Sequence, residues 1–378
     1  MRRLSDTIAR LTALRKGSAM EWAAQDCLVR LQHFGSNPGA LRANVYIPPA
    51  LAPDAALVVV LHGCTQTAAG YDVGAGWSEM ANRHGFALLF PEQQRLNNPN
   101  LCFNWFEPND SRRGSGEALS IRQMIAAVAS TYPINPARIF VTGLSAGGAM
   151  ASVMLATYPE VFAGGAIIAG LPYGCARTIP QAFDRMRGHG VPGEAELAAL
   201  VRGASDHRGP WPTLSIWHGS GDATVNPTNA DAIIAQWRDL HGASVAPTRT
   251  EPIAGYPRRV WCDAAGREVI EEYSITGMGH GTPLNTSGED GCGKSGPYML
   301  EAKISSTRHI CRFWGLARSD NDHDEARRAQ AGLTVLAPLD ETRSADFQPR
   351  RPVITMPTVA GDVGKVIEDA LRAAGLMR

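Results

Sequence analysis

The pentapeptide Gly143-Leu144-Ser145-Ala146-Gly147 lies between an apolar run, residues 138–142 (RIFVT), and a small-residue stretch, residues 146–158 (AGGAMASVMLATY). Strand, sharp turn and helix in that order are the context in which G-x-S-x-G makes a nucleophile. The turn lifts Ser145 Oγ above the sheet edge, the glycines let the backbone pass, and the helix N-terminus favours developing negative charge. A serine hydroxyl is a weak nucleophile, so it needs a base, and the base needs a group that orients it. In this arrangement the acid and then the histidine follow the serine along the chain. Asp222 lies in Trp217-His218-Gly219-Ser220-Gly221-Asp222, just past the apolar run at 213–217 (TLSIW). His280 lies in Gly277-Met278-Gly279-His280-Gly281, just past residues 269–275.

Each has rivals. Asp206 sits in irregular sequence and Asp231 inside a helical stretch, whereas sites of parallel sheets form at strand ends, which favours Asp222. His241 and His309 fall on helical stretches. His62 and His218 precede glycines at strand ends and read as groups that shape loops. An acyl transfer also needs donors for the tetrahedral oxyanion, each worth about 3 kcal/mol of barrier. The first is the backbone N–H of Ala146. The second belongs to the loop after residues 56–61 (ALVVVL), His62-Gly63-Cys64-Thr65-Gln66, where Cys64 is the candidate.

A different chemistry is also written in the chain. Residues 288–295, GEDGCGKS, satisfy the G-x-x-x-x-G-K-S pattern of a phosphate-binding loop. No buried strand precedes it, Glu289 and Asp290 would put negative charge where a triphosphate must sit, and Pro297 follows closely. A nucleotide hydrolase, like a non-catalytic binder on a hydrolase fold, is therefore a remote reading.

The elements that must position these residues follow from the apolar pattern. Residues 41–47, 56–61, 86–90, 138–142, 165–169, 213–217 and 269–275 read as strands, and residues 116–130, 146–158, 228–241 and 298–314 as helices. Strands alternating with helices mean an α/β fold with a mostly parallel, doubly wound sheet. Residues 1–35 read as an N-terminal helical arm, 36–316 as the catalytic domain with 175–212 as a candidate cap, and 317–378 as a charged linker and C-terminal helix.

Among 378 residues, Lys plus Arg number 36 and Asp plus Glu 36, so no net field favours nucleic acid or an anionic membrane. No apolar run approaches the roughly 20 residues of a membrane helix. The first twenty residues lack the apolar core of a secretory leader, which favours a cytoplasmic location, with secretion as the alternative. Seven cysteines leave the redox compartment open, and none are spaced C-x-x-C.

The block at 62–66, with Gly116-Glu117, Ser120-Ile121, the elbow through Met150, Pro172-Tyr173-Gly174-Cys175-Ala176, the Asp222 and His280 loops and Ser305-Ser306-Thr307-Arg308-His309, resembles the polyhydroxybutyrate (PHB) depolymerase family of esterases. That family is similar to feruloyl and acetylxylan esterases, and the resemblance runs from about residue 40 to 316. It implies an α/β-hydrolase fold and a serine esterase with Ser145 as nucleophile, Asp222 as acid, His280 as base and Cys64 at the oxyanion loop. Such chemistry needs no metal or organic cofactor. The substrate it implies is a short-chain polyhydroxyalkanoate polyester or its oligomers, with feruloyl or acetylxylan esters as the alternative. Gly281-Thr282 departs from the His-Ala-Trp form common among relatives. Two further expectations attach to Cys102-Phe103-Asn104-Trp105-Phe106: a Cys64–Cys102 disulfide pinning the oxyanion loop, and Trp105 offering apolar surface to the substrate.

Overall fold

Residues 27–317 are described in the computed structural model. Ten strands make one sheet: β1 (Val29–Leu31), β2 (Arg42–Tyr46), β3 (Ala55–Leu61), β4 (Ala87–Glu92), β5 (Ile134–Leu144), β6 (Gly164–Ile168), β7 (Thr213–Gly219), β8 (Arg249–Ile253), β9 (Tyr256–Cys262) and β10 (Glu268–Ile275). Their order across the sheet is β1-β2-β4-β3-β5-β6-β7-β10-β9-β8. The central strands β4-β3-β5-β6-β7-β10 run parallel, and antiparallel strands flank them on both sides.

Strands β3, β4 and β6 in the middle of the sheet are near-continuous apolar runs because a parallel sheet is covered on both faces; every residue of β3 (AALVVVL) is buried. Helices connect them: residues 68–75 and 77–84 join β3 to β4, 116–131 join β4 to β5, and 146–157 join β5 to β6. The helix after β5, AGGAMASVMLAT, is buried along its whole length, which its Ala and Gly content permits by letting it lie close to the strands. The outer strands are different. The burial pattern of β8 (RTEPI) is mostly exposed, and β10 buries Glu271 and Glu272 only because Arg258 and Arg259 of β9 pair with them, both at 2.7–2.8 Å.

Two segments depart from the sequence expectation. The stretch read as the end of an N-terminal helix contains β1, which pairs antiparallel with β2; residues 1–26 of the expected arm lie outside the described residues, as do residues 318–378 of the expected linker and terminal helix. The helix expected from residue 298 begins only at Ser306. Before it, β12 (Met299–Glu301) pairs parallel with β11 (Thr282–Leu284) in a small second sheet. Gly296-Pro297 is the reason: a Gly-Pro pair is a turn signal that overrides the helical spacing beyond it. Residues 175–212 hold two short helices, Ile179–Met186 and Glu194–Arg202, tied by hydrogen bonds to the segment after the Asp222 loop, such as Asn226 N–H to Met186 O at 2.7 Å.

The strand register sets the site. Leu61 is level with Gly143, Leu144 with Ile168, Ile168 with Trp217, and Gly219 with Ile275. The chain segments carrying Cys64, Ser145, Asp222 and His280 therefore leave the sheet along one edge, the carboxyl ends of parallel strands, where open α/β sheets form their sites.

Candidate active site

Ser145 turns the corner from β5 to its helix at φ 58°, ψ −118°, a conformation that non-glycine residues adopt only when their surroundings enforce it. What enforces it here is close packing. A Cβ on Gly143 would lie 2.4 Å from the Gly147 backbone, and one on Gly147 would lie 2.3 Å from Leu61 O. The elbow can therefore exist only with glycine at both positions, and it presses the start of the helix against the end of β3.

Asp222 follows β7 by three residues. Its Oδ1 accepts from the N–H groups of Thr224 and Val225 at 2.8 and 2.9 Å, closing a loop that fixes the carboxylate. Its Oδ2 lies 2.7 Å from His280 Nδ1. The loops carrying them are pressed together: a Cβ on Gly219 would sit 2.3 Å from Met278 O. Burial works to raise the Asp222 pKa, but hydrogen bonds from His218 and His280 outweigh it and hold the carboxyl well below the usual range. Because the carboxylate can only accept, His280 carries its proton on Nδ1, which leaves Nε2 bare to act as a base. Among the described residues no hydrogen bond joins Ser145 Oγ to His280; such contacts are commonly long in unliganded hydrolases and tighten around substrate.

A second histidine reaches the same carboxylate. His218 Nε2 lies 2.8 Å from Val225 O and 3.3 Å from Asp222 Oδ2, so it too must carry its proton on Nε2. Both histidines thus converge on one buried oxygen, Oδ2, while backbone N–H groups hold Oδ1.

The loop after β3 is built to aim one peptide. Gly63 O lies 2.8 Å from His62 Nδ1, and His62 Nε2 accepts from Gln93 N–H at 3.1 Å, which fixes the neutral Nδ1–H tautomer; burial lowers the pKa of this ring. In a trans peptide C=O and N–H point opposite ways, so holding the Gly63 carbonyl sets the direction of the Cys64 N–H. Neither that N–H nor the N–H of Ala146 has an acceptor among the described residues. A disulfide joins Cys64 to Cys102, as expected.

Beneath this loop lies Glu117, 1% exposed, which the sequence marked only as part of the Gly116-Glu117 pair in the resemblance, with no role attached. It accepts from Gln93 Nε2 and, at 2.9 Å, from Asn104 N–H, and Gln93 also donates to Cys102 O. Burial, with the nearby Asp110 adding to it, pushes the Glu117 carboxyl up to about 8. Between the ordinary 4.5 and that value the folded chain retains a proton that the unfolded chain releases. Stability should then fall as pH rises across the window, by up to about 1.4 kcal/mol per pH unit. Urea unfolding of the wild type and Glu117→Gln at pH 5 and pH 8 checks this. The wild type should lose more stability between the two than the variant; equal losses would mean Glu117 is ionised in the folded state throughout.

The rivals lie elsewhere; His309 sits on the helix Ser306–Phe313 beside Tyr273. Asp206 is exposed, Asp231 is engaged with Arg259 at 2.9 Å, and His241, half-buried beside Pro212 O, is pushed down to about 4 by loss of solvent. Trp105 is only 7% exposed and packs edge-on to Phe106, so most of its apolar surface is spent in the core. The phosphate-loop pattern is not a phosphate cradle: contrary to the sequence expectation a short buried strand, β11, does precede it, but that strand belongs to the small two-stranded sheet, and among the described residues no helix starts within 288–295. Its backbone donors are also already taken, Gly293 N–H by Glu79 Oε1, Lys294 N–H by Gly74 O and Cys292 N–H by Asn285 O.

Residues 41–253 match the model of the family described as esterase PHB depolymerase. Over 291 residues the chain is 46% identical to poly(3-hydroxyalkanoate) depolymerase C of Paucimonas lemoignei, a match covering 76% of this chain and 70% of that relative. It is 30% identical to feruloyl esterase B of Talaromyces funiculosus, covering 69% and 74% respectively. Among solved structures, acetyl xylan esterase from Aspergillus awamori superposes with a TM-score of 0.66 at 25% identity, covering 77% of this chain and all of that one.

Proposed function

The chain belongs to the esterase PHB depolymerase family and is a carboxylic ester hydrolase of α/β-hydrolase fold, and from that premise we propose that it hydrolyses short-chain polyhydroxyalkanoate esters, polymer or oligomer, through an acyl-enzyme on Ser145. The observation that carries the catalytic assignment is the 2.7 Å contact between His280 Nδ1 and the buried Asp222 carboxylate, at the sheet edge where the Ser145 elbow emerges. The substrate class rests on the 46% identity to a poly(3-hydroxyalkanoate) depolymerase.

In this reading His280 Nε2 takes the Ser145 proton as Oγ attacks the ester carbonyl. The carbonyl oxygen, now negative, receives hydrogen bonds from the N–H groups of Cys64 and Ala146. Asp222 keeps the imidazole in the correct tautomer and stabilises its cationic form. His280 then gives the proton to the departing alcohol, and water, activated by the same ring, releases the acid. His62 and Glu117 act through the loop that aims the Cys64 N–H. The segment 175–212, with its two helices, is the candidate cap, and Trp105, packed against Phe106, is the candidate apolar contact for the substrate.

A panel of 3-hydroxybutyrate oligomers, feruloyl esters and acetylated xylo-oligosaccharides, assayed beside Ser145→Ala and with fluorophosphonate labelling, tests the proposal. The oligomers should give the largest kcat/KM, and one label should map to Ser145. A clear preference for feruloyl or acetylxylan esters would move the substrate class to that of the relatives at 30% identity.

A further inference from the structure

Tyr298 occupies an unusual corner. Gly296 and Met299 exchange two backbone hydrogen bonds, both 3.0 Å, around Pro297 and Tyr298, and Tyr298 has φ 62°. Proline second and a positive φ third are the marks of a type II turn, whose third position is normally glycine. A bulky aromatic there is a genuine outlier, held in place by its surroundings. Its carbonyl accepts from Thr282 N–H at 2.8 Å, which starts the parallel pairing of β12 with β11. The approach is so close that a Cβ on Gly281 would lie 2.7 Å from Tyr298 O. The result is a half-buried phenol ring standing edge-on to the His280 imidazole, centroids 6.1 Å apart and planes at 81°.

We propose that Tyr298 is a specificity-determining residue whose ring packs against the alcohol portion of the ester and favours alcohols branched at the carbon bearing oxygen. This deepens the reading of Ser145, Asp222 and His280 given above and rests on it. His280 Nδ1 is occupied by Asp222, so Nε2 delivers the proton to the leaving oxygen, which must come within about 3 Å of it. Whatever flanks the imidazole therefore flanks the substituents of that alcohol. The flanking group is an aromatic ring, an apolar surface of fixed orientation. A hydroxyalkanoate ester presents there a secondary carbon carrying an alkyl branch; a methyl ester presents nothing that extends to the ring. A strained backbone that presents its ring to the proton-transfer group is what such selection requires.

The test varies only the alcohol: methyl and isopropyl esters of 3-hydroxybutyrate share one acyl-enzyme and its deacylation. The measurement is the ratio of kcat/KM, isopropyl over methyl, in the wild type, Tyr298→Gly and Tyr298→Phe. Glycine suits the positive φ, so that variant should fold, and phenylalanine keeps the ring. We expect the ratio to fall about tenfold in Tyr298→Gly and to return to near the wild-type value in Tyr298→Phe. A purely structural role would lower both esters together and leave the ratio within twofold of wild type, which overturns the proposal. Failure of the underlying reading looks different: the wild type would resist fluorophosphonate at Ser145, or Ser145→Ala would keep its activity.

Discussion

Ser145→Ala and His280→Ala should each lower kcat by about 10⁶-fold, and the double variant should be no worse than either alone. The expectation follows from the two groups forming one device. Without the serine there is no oxygen for the imidazole to deprotonate, and without the imidazole the hydroxyl keeps its proton. What survives, about 10³ to 10⁴ over the uncatalysed reaction, comes from the backbone donors and from binding. This cycle is informative because no hydrogen bond joins Ser145 Oγ to His280 in the unliganded chain among the described residues. If the pair assembles only around substrate, the kinetics will still show full coupling. Losses that multiply in the double variant would mean that the two side chains act independently, and another base would have to be sought. His218 is then excluded by its buried ring, whose Nε2 is committed to Val225 O and Asp222. The measurement is burst-free steady-state turnover of an activated ester, with near-ultraviolet circular dichroism to show that each variant is folded.

The elbow was legible in the sequence because every constraint on it is local: an apolar strand, two glycines that the backbone crossing demands, and a small-residue helix, all within about twenty residues. The Asp222 and His280 loops could be read for a related reason, since each directly follows a central strand and is rich in glycine. What the sequence did not display is set by partners distant along the chain. Strands β8 and β9 carry charges and Pro252 rather than an apolar run, and they are stable as strands because Arg258 and Arg259 meet Glu271 and Glu272 on β10. Glu117 looks like an ordinary first-turn helix acid, and only the fold surrounds it with Gln93, Asn104 and Asp110. Tyr298 was hidden inside a helical spacing that Gly296-Pro297 interrupts. The helices at 68–75 and 77–84, short and bounded by Gly76 and Gly85 at positive φ, lacked the length that periodicity needs to stand out.

Asp222→Asn should lower kcat by about 10⁴-fold while leaving the fold intact and KM little changed. The geometry supplies the reason. Asp222 Oδ2 accepts from His280 Nδ1, and an amide at this position can turn its NH₂ towards the ring instead. The ring would then accept at Nδ1 and carry its proton on Nε2, the tautomer that cannot deprotonate Ser145. The backbone strengthens the expectation. The N–H groups of Thr224 and Val225 both donate to Oδ1, so the asparagine oxygen is held in that place and the amide nitrogen is left facing His280. A pH profile separates this from simple loss of charge, since a ring in the wrong tautomer regains activity when hydroxide removes the Ser145 proton directly, so the variant's kcat should climb steeply above neutrality. A single variant that stays within tenfold of wild type at neutral pH would remove Asp222 from the orienting role and reopen the choice of acid.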